Sequence, residues 1–471
     1  MLHRAGGLGC TGVEIMKRLL TVFVATAALL AGACGASGDD SAEPDETTTT
    51  EADVGGEESG FPDIDGPLCG EGDFTVQADE AGRGTDALYL GVTNDRSSDI
   101  RPGLNKMMYD TAVAFAGWCN EQGGIGGLPI EVVDLDAALF NVESVMTTAC
   151  TDVFALVGGG LAQDQLQFSG KEGSDILKCG LIDIPGFAVS AEKADSEGQV
   201  QPIPNPGYSV NNTWFRDFEV VDPENAEAWT VLWGELPALE LVKTKYQAAV
   251  ADVGGMEDVG EQSYPAAGAA DWTPLVQRMV GDGATTFSWV GEVELLTSFL
   301  KSAREQKWEG TPLLETNMYD PKLSASPDAE GAILRMGLHT LEEADEWPAI
   351  QQYLDMLDGY VEDGDIGALG IQAMSAWLLF TVAANACGEK NDGVLDRACI
   401  LEEAAAVDDW TGGGLHSPQD PAPAGEAVAS PCGMLIVVKD GTFERLYPEL
   451  GGENDDADGF HCPDDGVTVL D

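Results

Sequence analysis

Short apolar segments alternate with helical patterns over most of the chain, and this alternation restricts the fold more than any other feature. Residues 87–95, "ALYLGVTND", are an apolar strand that opens into a polar loop, and residues 103–127 then show helical spacing that ends in glycines. Three more strand-like segments follow: "LPIEVVDLD", "VFALVGGG" and "GLIDIPGF". Strands separated by helices at this spacing form βαβ units, so the sequence predicts a parallel sheet with helices on its faces.

A second series of the same kind begins near Glu227. Strand patterns occupy residues 228–234, 257–265, 285–291 and 311–317. Helical patterns lie between them at residues 239–252, 272–280 and 293–306. Two successive α/β halves predict two lobes rather than one large sheet.

Residues 366–386 form a long stretch without a charge. The length alone permits a membrane span. However, the stretch contains Gln372, Ser375 and Thr381, and no cluster of Lys or Arg flanks it to fix an orientation. The pattern therefore favours a helix buried between a sheet and a neighbouring helix.

The N-terminus has the pattern of an export signal. A short positive segment, Met16-Lys17-Arg18, precedes the uncharged run of residues 19–33 and then Cys34. The segment resembles a bacterial lipoprotein signal, which predicts a signal peptide over residues 1–33 and lipidation of Cys34. The alternative is an ordinary secretory signal with an incidental Cys34. Residues 1–15 fit neither pattern, so Met1 and Met16 both remain candidate starts.

An acidic, low-complexity segment follows Cys34. Residues 39–60 have only three apolar side chains and no periodic stripe, so residues 34–67 are expected to hold the lipid-attachment site and a disordered acidic tether. The whole chain has 23 Lys and Arg against 82 Asp and Glu, a net charge of −59. Such a surface repels nucleic acid, which excludes nucleic-acid partners.

Eight cysteines remain when Cys10 and Cys34 are set aside, and an even number in an exported chain indicates disulfides. Pairing in sequence order is predicted: Cys69–Cys119, Cys150–Cys179, Cys387–Cys399 and Cys432–Cys462. Cys150 and Cys179 end successive helices that right-handed crossovers place on one face of a sheet.

Motifs that carry catalysis or metal binding are missing from the sequence. There is no GxSxG, Walker A or HExxH pattern, and the three histidines of the mature chain (His339, His416 and His461) lie far apart in sequence. No CxxC pair occurs either. The sequence therefore predicts a protein that is not an enzyme and has no catalytic residue, metal site or cofactor.

Several stretches resemble the type I periplasmic binding proteins of the leucine/isoleucine/valine-binding group. They include "LYLGVTND", "NEQGGIGGLPIEVVDLD", "VFALVGGG" and "ADWTPLVQRMVGDGATTFSWVGEVELLTSFLKSAREQKW", in an order that spans residues 88–448. The resemblance implies an α/β fold with two Rossmann-like lobes, each with a parallel sheet, joined by a three-strand hinge. Lobe I is expected over residues 68–205 and 339–430, lobe II over residues 206–338 and 431–450, and an acidic C-terminal tail over residues 451–471.

The resemblance also implies a solute site between the lobes, in loops at the carboxyl ends of strands. The predicted ligand-binding residues are Asp95, Arg96, Gly159, Gly160, Leu161, Phe187, Trp233, Glu292, Asn317 and Tyr319. Amino-acid binders of this family use hydroxyl groups after the third and fourth strands, but here those loops read "GGGLAQ" and "IPGFA". Two roles are open for Glu292: contact with a ligand ammonium or amide, or capping of the helix that begins at Val293.

These features predict an extracytoplasmic solute-binding lipoprotein of an ABC importer. The predicted solute is a small amino-acid-like or amide-type molecule, and the expected partners are ABC permease and ATPase subunits. The lipid on Cys34 places the protein in the periplasm or at the cell surface, anchored to the membrane. The alternative is a ligand-sensing surface receptor without a transport role.

Overall fold

The computed structural model describes residues 60–165 and 178–470 of the 471-residue chain. The predicted signal peptide, Cys34 and the predicted tether up to residue 59 lie outside the described residues. The strands are β1 (Thr75–Val76), β2 (Leu88–Asn94), β3 (Ile130–Asp136), β4 (Ala155–Val157), β5 (Asp183–Ile184), β6 (Ser209–Asn211), β7 (Ala228–Gly234), β8 (Glu257–Tyr264), β9 (Thr286–Val290), β10 (Thr311–Leu314), β11 (Ile333–Met336), β12 (Val394–Leu395), β13 (Met434–Lys439), β14 (Thr442–Tyr447) and β15 (Val467–Val469). The α-helices are α1 (Lys106–Glu121), α2 (Val142–Asp152), α3 (Ala191–Ala194), α4 (Thr213–Val221), α5 (Leu239–Val253), α6 (Thr273–Gly281), α7 (Val293–Glu305), α8 (Pro321–Ser324), α9 (Pro348–Tyr360), α10 (Ala368–Lys390) and α11 (Arg397–Ala404).

Lobe I contains a sheet of four parallel strands in the order β3-β2-β4-β5. The central strand β2 is buried at nearly every position. Helices α1 and α10 pack together with one face of the sheet, and α2 packs with the other. Burial on both faces explains why β2 is an almost continuous apolar run in the sequence.

Lobe II contains a sheet of seven strands in the order β14-β13-β11-β10-β9-β7-β8. Strands β11, β10, β9, β7 and β8 run parallel, whereas β13 and β14 add an antiparallel edge. The predicted second α/β half is confirmed, and helices α5, α6 and α7 begin and end within one residue of their predicted bounds.

The chain passes between the two sheets and their helices three times: between β5 and β7, between β11 and α9, and between α11 and β13. Residues 204–212, 337–340 and 417–433 within these connections are called here the crossing segments. These crossing segments are hydrogen-bonded to one another. The Ser417 amide donates to the Gly337 carbonyl at 3.0 Å, and the Asn211 Nδ2 donates to the Ser430 carbonyl at 2.8 Å. The two lobes with three crossings agree with the predicted fold class.

The C-terminal segment, expected as an acidic tail, instead contains a strand that completes the crossing region. β15 pairs antiparallel with β6, with Val467 opposite Asn211. The acidic residues before it form turns: Asp455 accepts from the Gly451 and Gly459 amides, at 2.7 and 2.6 Å. The Asp455 carboxylate accepts hydrogen bonds from backbone amides, so the acidic composition of the segment does not make all of it a solvated tail.

All four predicted disulfides are confirmed. The Cα–Cα distances are 5.3 Å for Cys69–Cys119, 5.5 Å for Cys150–Cys179, 5.7 Å for Cys387–Cys399 and 4.0 Å for Cys432–Cys462. The Cys432–Cys462 bridge joins the segment that precedes β15 to the chain just before β13. Each bridge joins cysteines that are consecutive among the eight, and the sequence separations are 50, 29, 12 and 30 residues.

The uncharged stretch predicted as a buried helix is α10. Among the described residues it is the one helix long and apolar enough to cross a membrane, and 78% of its most apolar window is buried within the protein. Trp377 and Phe380 are fully buried there. The helix is therefore part of the core of lobe I, as the sequence pattern favours.

Candidate functional site

A cavity of about 290 Å³ lies between the two lobes. Side chains from lobe I, lobe II and all three crossing segments line it. Pockets for small molecules have volumes of roughly 300–1,000 Å³ and are mostly apolar, with a few polar groups at fixed positions. The cavity is at the small end of that range.

Apolar side chains form much of the cavity wall. They include Leu104, Met107, Phe187, Ile203, Leu239, Val242 and Leu338. The Phe187 ring lies directly over Gly160, where an added Cβ atom would come within 2.4 Å of the ring. A side chain at residue 160 would therefore displace Phe187 from the wall, which explains the glycine at this position.

One end of the cavity is polar, and its central residue is Lys245 on α5. Leu239, Val242 and Tyr246 on the same helix also line the cavity. Lys245 is only 2% exposed. Its Nζ donates to Asn205 Oδ1 at 2.5 Å and to the Pro206 carbonyl at 2.8 Å. Both partners are uncharged, and burial together with the nearby positive charge of Arg335 lowers the pKa of Lys245 to about 7.

Glu315 and Arg335 lie beside Lys245 at the ends of neighbouring strands. Glu315 follows β10 and Arg335 is on β11, so the strand pairing brings the two together. Arg335 Nη1 lies 2.5 Å from Glu315 Oε1. The Tyr246 hydroxyl donates to the other oxygen, Oε2, at 3.0 Å. Both oxygens of Glu315 are thus occupied by groups of the protein.

Four lining side chains have a buried polar atom without a hydrogen-bond partner among the described residues. These atoms are Asn211 Oδ1, Trp289 Nε1, Arg335 Nε and Gln372 Oε1. Buried polar atoms are nearly always hydrogen-bonded in folded proteins. Four such atoms around one cavity indicate that the cavity holds polar groups that are not part of the chain.

Arg101 and Glu292 form an ion pair across the lobes, called here the interlobe pair. Arg101 belongs to the loop after β2 in lobe I, and its Nε lies 3.6 Å from Glu292 Oε2 in lobe II. The Arg101 guanidinium also donates to the Ala266 carbonyl. Burial raises the pKa of Glu292, and the positive charge of Arg101 opposes that shift. Glu292 precedes α7 without a side-chain capping hydrogen bond, so its observed partner is Arg101.

The predicted loop after β4 is largely closed by its own hydrogen bonds. The amides of Gly158, Gly160 and Gly186 donate to Ile184, Thr93 and Gly159 carbonyls. Leu161 is fully buried in the core. Gly159, Gly160 and Leu161 do not line the cavity, because Phe187 and the core cover them.

Asp95 and Arg96 also lie away from the cavity lining. Asp95 is fully buried, and its two oxygens accept from the Leu139 and Ala162 amides at 2.7 and 2.9 Å. Arg96 pairs with Asp134 at 2.5 Å. Both residues therefore stabilise loops of lobe I through these contacts.

Of the remaining predicted residues, Phe187, Glu292 and Asn317 line the cavity, and Trp233 and Tyr319 do not. Asn317 Nδ2 donates to the Gly291 carbonyl at 3.2 Å. The Tyr319 hydroxyl is engaged by Glu342 and the Leu341 amide. The structure thus brings three of the ten predicted positions together.

The polar end of the cavity and Arg101 were not found from the sequence. A signal for Lys245 is present: it lies three residues after Val242 and four before the buried Ala249, on the apolar side of α5. A lysine on the buried face of a helix indicates a functional or paired charge. Arg335 gives no such signal, because its partner Glu315 is 20 residues away in sequence.

One cluster of potential metal ligands is present among the described residues, formed by Cys387, Asp396 and Cys399. Its two cysteines are joined by a disulfide. Asp396 accepts from the Cys399 amide at 2.9 Å and caps α11. The cluster is therefore occupied by structural bonds and is not a metal centre.

Comparisons with known proteins agree with the fold. Residues 220–440 match a family model described as periplasmic binding protein. No curated protein matches the chain. Among solved structures, a fatty acid ABC transporter substrate-binding protein from Thermomonospora curvata has 15% identity and a TM-score of 0.65, covering 80% of this chain and 95% of its own.

Two further solved structures are of the branched-chain amino acid type. The leucine binding protein LivK from Thermotoga maritima has 14% identity and a TM-score of 0.61, over 76% of this chain and 98% of its own. A branched-chain amino acid ABC transporter protein from Thermus thermophilus with bound valine has 14% identity and a TM-score of 0.62, over 76% and 94%. The predicted resemblance to the type I periplasmic binding proteins is confirmed.

Proposed function

Because the chain has the type I periplasmic-binding-protein fold, we propose that it is the extracytoplasmic solute-binding component of an ABC importer. The cavity between the lobes carries this proposal. Both lobes and the crossing segments line it, so a solute held there contacts both lobes at once. Such a solute stabilises the closed arrangement through its differential affinity for it.

The cavity supports a small solute with an apolar body and a polar end. Its wall is largely apolar, and Lys245, Glu315 and Arg335 lie together in its lining. Proteins of this fold are named for fatty acid transport or contain valine, so the fold accommodates solutes with apolar parts. The volume of about 290 Å³ limits the solute to a small molecule.

A thermal-shift screen of amino acids, amides, ureas and small aromatic and aliphatic acids tests solute capture. A ligand at 100 times its Kd adds about 2.7 kcal/mol to stability, which raises the melting temperature measurably. The matched control is Val242→Trp, which fills part of the cavity from α5. We expect the shift to disappear in this variant; a shift of equal size would place the binding elsewhere.

The importer role is tested in cells. A strain that lacks the protein should lose uptake of the solute that the screen identifies. Unchanged uptake in that strain would contradict the importer role and favour the sensing alternative, because solute capture itself would remain.

We also propose that Cys34 carries a lipid that anchors the protein to the membrane. The support is the export signal that ends at this cysteine and the acidic segment that follows it. Detergent-phase partitioning of the wild type and of Cys34→Ser is the measurement. We expect only the wild type to enter the detergent phase, and an aqueous wild type would exclude the anchor.

A further inference from the structure

The cationic side chains at the polar end of the cavity are only partly paired within the protein. Lys245 and Arg335 line the cavity beside Glu315, and Asp195, which is outside the lining, also acts on Lys245. Arg335 and the Tyr246 hydroxyl already occupy both oxygens of Glu315. Lys245 has only neutral partners and forms no ion pair with a described carboxylate. Of the two cations, Lys245 therefore has no carboxylate in contact among the described residues.

Lys245 and Arg335 also have N–H donors that no described residue uses. An ammonium group has three N–H donors, and Lys245 uses two of them. Arg335 Nε is buried and has no hydrogen-bond partner among the described residues. Burial is the main cause that lowers the pKa of Lys245, and a further negative charge beside it would oppose that shift. An acceptor with a negative charge would satisfy both side chains.

Four of the five acidic side chains that line the cavity already have a cationic partner, and the fifth, Asp320, accepts from the Lys322 amide and caps α8. Glu292 faces Arg101 at 3.6 Å, and Glu294 lies 2.7 Å from Lys322 Nζ. Asp365 lies 3.3 Å from Lys106 Nζ. An ammonium ligand at any of these four carboxylates would thus have to displace an existing cation, whereas a carboxylate ligand would meet Lys245, which has no ion-pair partner among the described residues.

We propose that the solute is a small monocarboxylate, held with its carboxylate between Lys245 and Arg335 of lobe II and its apolar body against Met107, Phe187 and Val242. This inference rests on the proposed solute-binding function and names the class of solute. The orientation of the solute follows from the hydrogen-bond donors that each lobe has left unused. The loop amides of Gly158, Gly160 and Gly186 in lobe I are used internally, so the anion is recognised by side chains of lobe II.

The proposal is tested by calorimetry with solutes that share an apolar body and differ in the head group. Hexanoate, hexanamide and hexylamine form one series, and benzoate with benzamide forms a second. We expect each carboxylate to bind at least tenfold more tightly than its amide, and hexylamine not to bind. An amide or amine that binds as tightly as the carboxylate would overturn the carboxylate site and leave solute capture intact.

Two lysine variants distinguish a specific carboxylate site from a general effect of positive charge on binding. Lys245→Met keeps an unbranched side chain and removes the charge, so we expect it to bind hexanoate and hexanamide equally. Lys301→Met is the matched control, because Lys301 is an exposed lysine on α7 of the same lobe and does not line the cavity. It should keep the wild-type preference for hexanoate. Undiminished preference in Lys245→Met would refute the proposal.

The same experiment distinguishes failure of the inference from failure of the proposed function. Binding of amides or amines without carboxylates contradicts only the carboxylate site. If no solute in either series binds to the wild type, both the monocarboxylate class and an apolar-bodied solute are wrong. Melting temperatures of the two variants, measured alongside, show that a lost preference does not come from unfolding.

Discussion

His339 and His416 are both buried, and the His339 amide donates to the Leu415 carbonyl next to His416. Burial keeps both imidazole rings uncharged at neutral pH. The His339 ring stacks on Trp347 with the ring centres 3.8 Å apart. Burial lowers its pKa to about 3, and the nearby Arg445 adds to this shift. His416 Nδ1 donates to the Ser417 carbonyl at 2.8 Å, and burial lowers the pKa of this histidine to about 4.

These histidines make stability dependent on pH on the acid side of neutrality. In the unfolded chain a histidine has a pKa of about 6.5, so between pH 6.5 and 4 the unfolded chain binds protons that the folded chain does not. The free energy of unfolding therefore falls as the pH falls through this window. Each histidine contributes a slope of up to ~1.4 kcal/mol per pH unit.

We predict that His339→Phe weakens this pH dependence. The phenyl ring preserves the stacking on Trp347 and cannot take up a proton. Urea unfolding at pH 7 and pH 5 measures the change, and the loss of stability should be smaller in the variant by up to ~2 kcal/mol. Equal losses in the variant and the wild type would mean that His339 is protonated in the folded protein.

At this scale the sequence predicted some positions and missed others for a physical reason. Glu292 and Phe187 follow strands and could be placed at the cleft by their element. Lys245, Arg335 and Arg101 owe their roles to partners that are distant in sequence, such as Glu315 for Arg335 and Glu292 for Arg101. Strand order alone does not show which charges meet.

Among the elements, α10 is held in place by packing against its neighbouring helices and by a disulfide. It packs against α1 and α11, and the Cys387–Cys399 bridge ties its last turns to α11. The bridge closes a loop with a sequence separation of 12 residues. In the chain-entropy model such a loop contributes about 3 kcal/mol by restricting the unfolded chain.

The double variant Cys387→Ala, Cys399→Ala should therefore be less stable by about 3 kcal/mol in guanidinium unfolding. Both cysteines are replaced so that no free thiol remains. A matched comparison is the wild type under reducing conditions, which loses all four bridges and should be less stable still. A double variant as stable as the wild type would show that packing of α10 against α11 already fixes this loop.

Long elements were predictable, and short ones were not. Helices α5, α6 and α7 match their patterns because each buries an amphipathic face on a sheet. β15 has three residues and exists only where β6 lies beside it, so no local pattern identifies it. The acidic composition around it indicates a solvated tail, but several of those carboxylates cap turns.

For the whole molecule, the interlobe pair is a direct contact between the two lobes. The Arg101 side chain is only 8% exposed and Glu292 16%. Removal of Arg101 would leave a buried carboxylate without its counter-charge, which is strongly destabilising. Opening of the lobes would return Glu292 to water, so the open arrangement becomes more populated.

We predict that Arg101→Ala opens the unliganded protein and weakens solute binding at least tenfold, because the closed arrangement is the one that binds. Small-angle X-ray scattering should show a larger radius of gyration than for the wild type. Arg96→Ala is the matched control, since Arg96 pairs within lobe I, with Asp134. Equal radii for Arg101→Ala and the wild type would show that the pair does not hold the lobes together.

The two-lobed fold was predictable from the order of its elements, whereas the cavity was not. Its lining comes from segments as distant as Met107, Lys245 and Gln372. These residues come from both lobes, so they meet only through the arrangement of the two lobes, in which side-chain contacts such as the interlobe pair take part. No single segment contains that information.

The pairing of the cysteines has a consequence for how the protein is made. Eight cysteines can pair in 105 ways, yet here the first joins the second, the third the fourth, the fifth the sixth and the seventh the eighth. A polypeptide appears N-terminus first, so every cysteine meets its correct mate before any later competitor exists. An oxidant alone should then suffice for production, and a disulfide isomerase should add little to the yield.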